Sequence, residues 1–348
     1  MTYYVQPFVA AVEAILATHH LGKPGAYRRW NWQKKDNDSA LTSMPQPEGI
    51  RDLGINPYGC ADAANLLYTI NHFPQDYTER ASWVEVLRGL QEPETGMYYE
   101  DTHHPFHTTA HCISALELFD AVPLHPVQGL AELREPAKME AFLDGLDWQA
   151  RPWSESHQGA GLYVSLALTG AVSPEWQERY FAWLARENDP DSGFWRRGCV
   201  GLAEHSGLST RFPHLAGSFH YLFNHEYGRQ ALAHPQALID TCLELRRSDP
   251  YPIGHAIGFA EIDWVYCLTR ALRQSGYRFA DVRAALESFT AEYIPYLLSL
   301  DPATHAGMND LHMLFGTSCC LAELQTALPG QIRSDKPLRL VLDRRPFI

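Results

Sequence analysis

The sequence predicts an all-α protein, an (α/α)6 barrel with six inner helices ringed by six outer ones. Three observations point there: a helix–turn–helix grammar that recurs along the chain, a compositional difference between alternate helices, and a lack of long alternating β-branched runs. The unit is plainest at residues 81–120, ASWVEVLRGLQEPETGMYYEDTHHPFHTTAHCISALELFD. An amphipathic helix runs to Leu90, a turn follows over Pro93 and Gly96, and a second helix opens near Phe106. Proline presets φ in such a turn, and glycine takes the left-handed position. The grammar returns at 180–226, 238–273 and 293–328, and Asp-Pro follows the first helix in three copies, at Asp189-Pro190, Asp249-Pro250 and Asp301-Pro302.

Taken in order, the first members of the six pairs fall near 3–20, 76–90, 135–146, 174–187, 234–246 and 278–299. Their second members fall near 58–72, 106–120, 157–170, 212–226, 256–274 and 308–327. First members carry the charge, as in EWQERYFAWLARE, and suit a solvated outer ring. Second members are rich in Ala, Gly, Ser, Cys and Leu, as in GCADAANLLYTI and HQGAGLYVSLALTG, and suit burial on every side. The only strand candidate is LRLVL at 338–342. The Pro- and Asp-rich stretch 34–54 reads as a loop and a candidate lid, and the tail from Ser334 is expected to cross the outside of the barrel.

Composition narrows the function. The 348 residues fit one large domain, 1–348, with ample apolar content for a core. A net charge of −13 argues against nucleic acid and anionic membrane surfaces as partners. No apolar run reaches the roughly 20 residues that span a bilayer. The first 20 residues lack the pattern of a secretion signal, and the seven cysteines have no regular spacing. Reduced, buried thiols in a cytoplasmic protein are the expectation.

One stretch carries a family resemblance. Leu90-Gln91, then Gly96-Met97-Tyr98, then His107-Thr108-Thr109-Ala110-His111 on a helix resembles the repeat of terpenoid cyclases and protein prenyltransferases, with Glu187 before Gly193-Phe194-Trp195 as a second copy. The resemblance implies the double ring and a cavity at one mouth of it. The acid motifs of the cyclases, Asp-x-Asp-Asp and Asp-Asp-x-x-Asp, are missing. The prenyltransferase zinc pattern is altered: Cys60-Ala61-Asp62 holds its residue types in reversed order, with His107 on the next inner helix. The same double ring serves many sugar hydrolases, lyases and epimerases, so it does not choose a chemistry.

Residues able to carry chemistry gather where second-member helices begin. The candidate catalytic groups are Asp62, His107, His157, Glu261, Asp263 and His312; the candidate substrate contacts are Tyr58, His111, Trp153, Gln158, His214, Trp264 and Asp310. Histidine titrates near pH 6.5, so carboxylates and imidazoles around one cavity suit proton transfer. A small molecule or oligosaccharide is the expected partner, with hydrolysis, elimination or epimerisation as the reaction. An isoprenoid enzyme and a non-catalytic binding toroid are the alternatives. No cofactor motif is present, and acid–base chemistry without an obligatory metal is expected. The structural rivals are ordinary: His220 reads as a core histidine, and His103 and His104 as surface loop residues.

Overall fold

The computed structural model describes residues 2–35, 49–202, 210–248 and 254–347. Most of the lid candidate and the Asp249-Pro250 turn lie outside these residues. The protein is all-α, with helix taking 59% of the described residues. The first-member helices are α1 (Gln6–His19), α3 (Tyr77–Gly89), α5 (Pro136–Asp144), α7 (Pro174–Glu187), α9 (Pro235–Ser248) and α11 (Phe279–Ser299). The second members are α2 (Pro57–Thr69), α4 (Pro105–Glu117), α6 (Pro152–Leu168), α8 (Phe212–Tyr227), α10 (Ala260–Ser275) and α12 (Leu311–Ala327). Contacts group the chain into two compact units. One comprises Met1–Leu90, Pro250–Tyr266 and Ala280–Arg344; the other comprises Gln91–Asp249, Cys267–Phe279 and Arg345–Ile348.

The two helix classes differ in burial as their compositions predict. Ten consecutive residues of α4, His107 to Leu116, are buried, whereas α3 buries only Trp83, Val86 and Leu87. Those three sit at i, i+3 and i+4, a single apolar stripe. Helix starts follow local chemistry. Pro57, Pro105, Pro152 and Pro174 occupy first-turn positions, where a missing N–H is harmless. The Asn56 side chain accepts from the amides of Tyr58 (2.8 Å) and Gly59 (3.1 Å) to cap α2. The Pro152 start places α6 five residues earlier than its apolar run suggests, and so puts Trp153 on the helix and His157 one turn inside it.

The repeat turn is built twice with the same bonds. Gln91 donates its side-chain amide to the Gly96 carbonyl (2.8 Å), and Asn188 donates to the Gly193 carbonyl (2.8 Å). The Gly96 amide then closes on the Glu92 carbonyl (2.8 Å), as that of Gly193 does on Asp189 (2.8 Å). The following aromatic donates its amide to a hydroxyl on the next second-member helix: Tyr98 to Thr109 (2.9 Å), and Trp195 to Ser218 (3.0 Å). Asn188, not Glu187, is therefore the counterpart of Gln91; Glu187 pairs with Arg196 (2.9 Å). A side-chain amide can donate to the turn carbonyl and a carboxylate cannot, which sets this register.

Gly96 lies at φ +68°, and a Cβ there would meet the Pro126 carbonyl oxygen at 1.9 Å. Gly96→Ala is expected to cost about 2–4 kcal/mol in urea denaturation. Gly22 shares the positive φ (+89°) but has open space around it, so Gly22→Ala should lose only the conformational part, about 1 kcal/mol. Equal losses at the two sites would show that the turn does not depend on close packing at Gly96.

Two expectations fail at the C-terminal end. The LRLVL segment forms no strand. Leu338, Val341 and Leu342 are buried at i, i+3 and i+4, and a short helix, α13 (Val341–Arg344), forms there. The strands among the described residues are β1 (Tyr3–Tyr4) and β2 (Ile332–Arg333), paired in parallel. Nor does the tail run outside: Arg345 and Phe347 are fully buried, and the Ser114 hydroxyl on α4 donates to the Pro346 carbonyl (2.6 Å). No helix among the described residues is long and apolar enough to cross a membrane.

Candidate functional site

In the unit containing Gln91–Asp249, α6 packs against both α4 and α8. Two glycines let the helices come this close: a Cβ on Gly161 would meet the Phe106 carbonyl on α4 at 2.6 Å, and one on Gly159 the Tyr221 hydroxyl on α8 at 2.2 Å. The approach gathers three histidines. His107 from the first turn of α4, His157 from α6 and His220 from α8 hold their ligating atoms within 4.8 Å of one another. The ring centroids of His107 and His157 lie 4.2 Å apart, and those of His157 and His220 4.6 Å. His107 and His220 are buried, while His157 is half-buried.

A fourth histidine joins from the loop. His103 stacks on His107 at 4.9 Å and 16°. Its Nδ1 faces the Glu100 carboxylate at 3.0 Å, and the Glu100 side chain is only 2% exposed. Thr102 donates its hydroxyl proton to that carboxylate (2.7 Å), so the His103 Nδ1 beside Thr102 (2.6 Å) and Glu100 carries the hydrogen. Trp153 stands edge-on to His157 at 6.1 Å, and Gln158 follows, half-buried, on the same helix. Phe347 closes one side, its ring 4.6 Å from His107 and 5.2 Å from Phe223. The neighbouring His104 caps α4, accepting from the Phe106 amide (3.2 Å), and burial lowers its pKa.

In the other unit a second polar group forms, more deeply buried. His312 Nδ1 meets the Asp62 carboxylate at 3.1 Å, joining α12 to α2. The edge of Tyr58 lies 4.6 Å from the His312 ring, and Phe259 lies 4.5 Å away. Asp310 accepts from the His312 amide (3.0 Å) as the cap of α12. It also takes a two-pronged contact from Arg29, at 2.8 and 3.1 Å. Arg29 is 1% exposed and lies over the rings of Trp30 (4.4 Å) and Tyr58 (5.1 Å). Burial alone would raise the Asp310 pKa, but the Arg29 guanidinium outweighs it and holds the carboxyl below its usual range.

Several of the remaining candidates are placed elsewhere. Glu261 and Asp263 are both buried on α10; Glu261 accepts from the Gly254 amide (3.3 Å). Burial first, and then the Glu261 charge, push the Asp263 carboxyl well above its ordinary pKa. His214 donates Nδ1–H to the Trp195 carbonyl (2.9 Å) and stacks on Trp148, and burial lowers its pKa. Trp264 packs on Phe289 at 5.7 Å, and His111 is buried one turn beyond His107. The Cys60 thiol exchanges contacts with the Tyr27 backbone (3.4 and 3.6 Å), and burial raises its pKa to about 12.

The sequence reads His103 as a surface loop residue and His220 as a core histidine, and does not single out Glu100 or Arg29. A signal existed for His103, since Glu100 precedes it by three residues. His220 and Arg29 are assigned only by packing. No family model, no curated protein and no solved structure matches the chain.

Proposed function

We propose that the protein is an enzyme performing acid–base chemistry on a saccharide-like polyol at the α4–α6–α8 histidine cluster. The observation that carries this reading is the Glu100–His103 pair beside the half-buried His157. A buried carboxylate fixes the imidazole tautomer, so the opposite nitrogen, Nε2, is the one that takes or gives a proton. His157 supplies a second imidazole within 5.8 Å of His103 (centroid to centroid), Trp153 an indole edge, and Gln158 an amide for hydroxyl groups. Indole and amide groups side by side suit a sugar, whose faces are apolar and whose rim is polar. The buried Asp62–His312 pair is read as a second proton-holding unit.

A second reading keeps the resemblance to terpenoid cyclases and prenyltransferases. The duplicated turn at Gln91 and Asn188 supports it, as does the serial packing of α4, α6 and α8, which fits the expected double ring. Phe347, Phe223 and Trp153 would then line an isoprenoid chamber, with a histidine as proton donor.

The test is turnover of a panel of neutral oligosaccharides, unsaturated uronides and isoprenoid diphosphates. Reducing ends, loss of the double bond and diphosphate release are the respective readouts. Turnover of a saccharide is expected, and His103→Gln should lower it by roughly 10²–10⁴ with unchanged circular dichroism. Diphosphate release alone would move the isoprenoid reading to first place. Saccharide turnover untouched by His103→Gln would remove the acid–base assignment.

A further inference from the structure

We infer that His107, His157 and His220 form a zinc site with three protein ligands and an open fourth position. The inference rests on the proposed function for the use of the site, and on geometry alone for the ion. It departs from the metal-free expectation of the sequence, because His220 sits nine residues into α8 and only the packing of α8 on α6 brings it to His157.

Donor type, spacing and supporting hydrogen bonds agree. Three neutral imidazoles with one vacant position are a familiar ligand set for catalytic zinc, at Zn–N distances of about 2.0–2.1 Å. Donors on such an ion stand on the order of 3.4 Å apart. The three here lie within 4.8 Å of one another from three separate helices, so small side-chain rotations close the remaining gap.

The Ser156 hydroxyl fixes one ligand. It donates its single hydrogen to the Trp153 carbonyl (2.5 Å), so its contact with His220 Nδ1 (2.8 Å) has the ring N–H as donor. That leaves the His220 lone pair on Nε2, the arrangement expected of a metal-bound histidine whose other nitrogen donates to a neighbour. Phe347 and Phe223 give the ion an apolar wall on one side, while the stacked His103 stands next to it with its own tautomer set by Glu100. Zinc fits this donor set better than calcium or magnesium, which take oxygen ligands.

The test uses the full chain. Protein purified without chelator should carry about one zinc per chain by elemental analysis. Metal-free protein should take up one equivalent of zinc chloride in competition with a chromogenic chelator. His157→Ala and His220→Ala should each reduce zinc to background, while His255→Ala, at an exposed position, should keep it. Ser156→Ala removes no ligand and should weaken zinc binding about 10–100-fold. Cobalt(II) added to metal-free wild type should give the intense visible bands of a tetrahedral site, a readout that needs no folded variant. Weak six-coordinate bands, or zinc retained by both histidine variants, would overturn the inference. His103→Gln separates the two proposals: loss of turnover with full zinc supports both, whereas turnover by a protein that takes up no zinc overturns only the metal.

Discussion

Arg29→Met and Asp310→Asn, made singly, are each expected to destabilise the protein by about 3–5 kcal/mol in urea denaturation at neutral pH. Both side chains are essentially without solvent, so removing one leaves the other a buried charge without its ion-pair partner. Asp310→Asn keeps a side-chain oxygen able to accept from the His312 amide, so the cap of α12 survives in that variant and is lost only with Asp310→Leu, a change worth about 1 kcal/mol. The double variant Arg29→Met/Asp310→Leu should recover most of the lost stability, because a buried ion pair replaced by apolar groups of similar volume is often close to neutral. Its shortfall from wild type should be about the size of the cap. Two single losses below about 1 kcal/mol would mean that water reaches the pair and that it does not hold α12 against the Arg29 segment. The pH dependence has a definite sign. The folded Asp310 pKa is depressed, so its contribution is complete above the unfolded value of 3.8 and is lost as pH falls through the lower folded value.

What could be read from the sequence follows from the range of the forces involved. The twelve long helices of the described residues were legible, most to within two or three residues, because their signals are local: Pro57, Pro105 and Pro174 in the first turn, Asn56 and Asp310 as caps, and stripes such as Trp83, Val86 and Leu87. The candidate site was half legible. His107, His157 and Trp153 could be found because they sit near helix starts next to loops. His220 could not, since it lies among Phe219, Tyr221 and Phe223 and its role depends on the rotation of α8 against α6. Asp62 and His312 were both singled out, yet nothing in the sequence paired two residues 250 positions apart. Arg29 stands 281 residues from its partner and in no periodic element, so it carried no signal at all. The turn register slipped by one at Glu187 because carboxylate and amide look alike by size, and only hydrogen-bond direction tells Asn188 apart. The tail misled for a related reason. Its position after the last helix suggested the outside, but Arg345 is buried and only its partners could have revealed that.

Asp263→Asn should make the protein more stable at neutral pH, and the gain should shrink as the solution is acidified. Asp263 is buried, and its carboxyl is held well above the ordinary value by desolvation and by Glu261 two residues earlier. Folding therefore keeps a proton that the unfolded chain releases. A raised folded pKa means that the group's contribution is fully present below the ordinary value of 3.8 and is lost as pH rises toward the folded value. Each pH unit in that window removes about 1.4 kcal/mol of folding free energy from wild type. The amide that Asp263→Asn introduces does not titrate, so the difference between variant and wild type reports Asp263 together with its coupling to Glu261 and cancels the acids not coupled to it. Urea denaturation at several pH values from about 4 to 7 should show the two lines diverging with that slope. Parallel lines would mean that Asp263 is already ionised in the folded protein and balanced by a cation. A neutral carboxyl kept in the interior at the expense of stability is the arrangement used where a protein needs a proton donor at neutral pH. If Asp263 serves in that way, Asp263→Asn should be the more stable protein and the less active one. A variant gaining stability at no loss of turnover would assign the buried acid to structure alone.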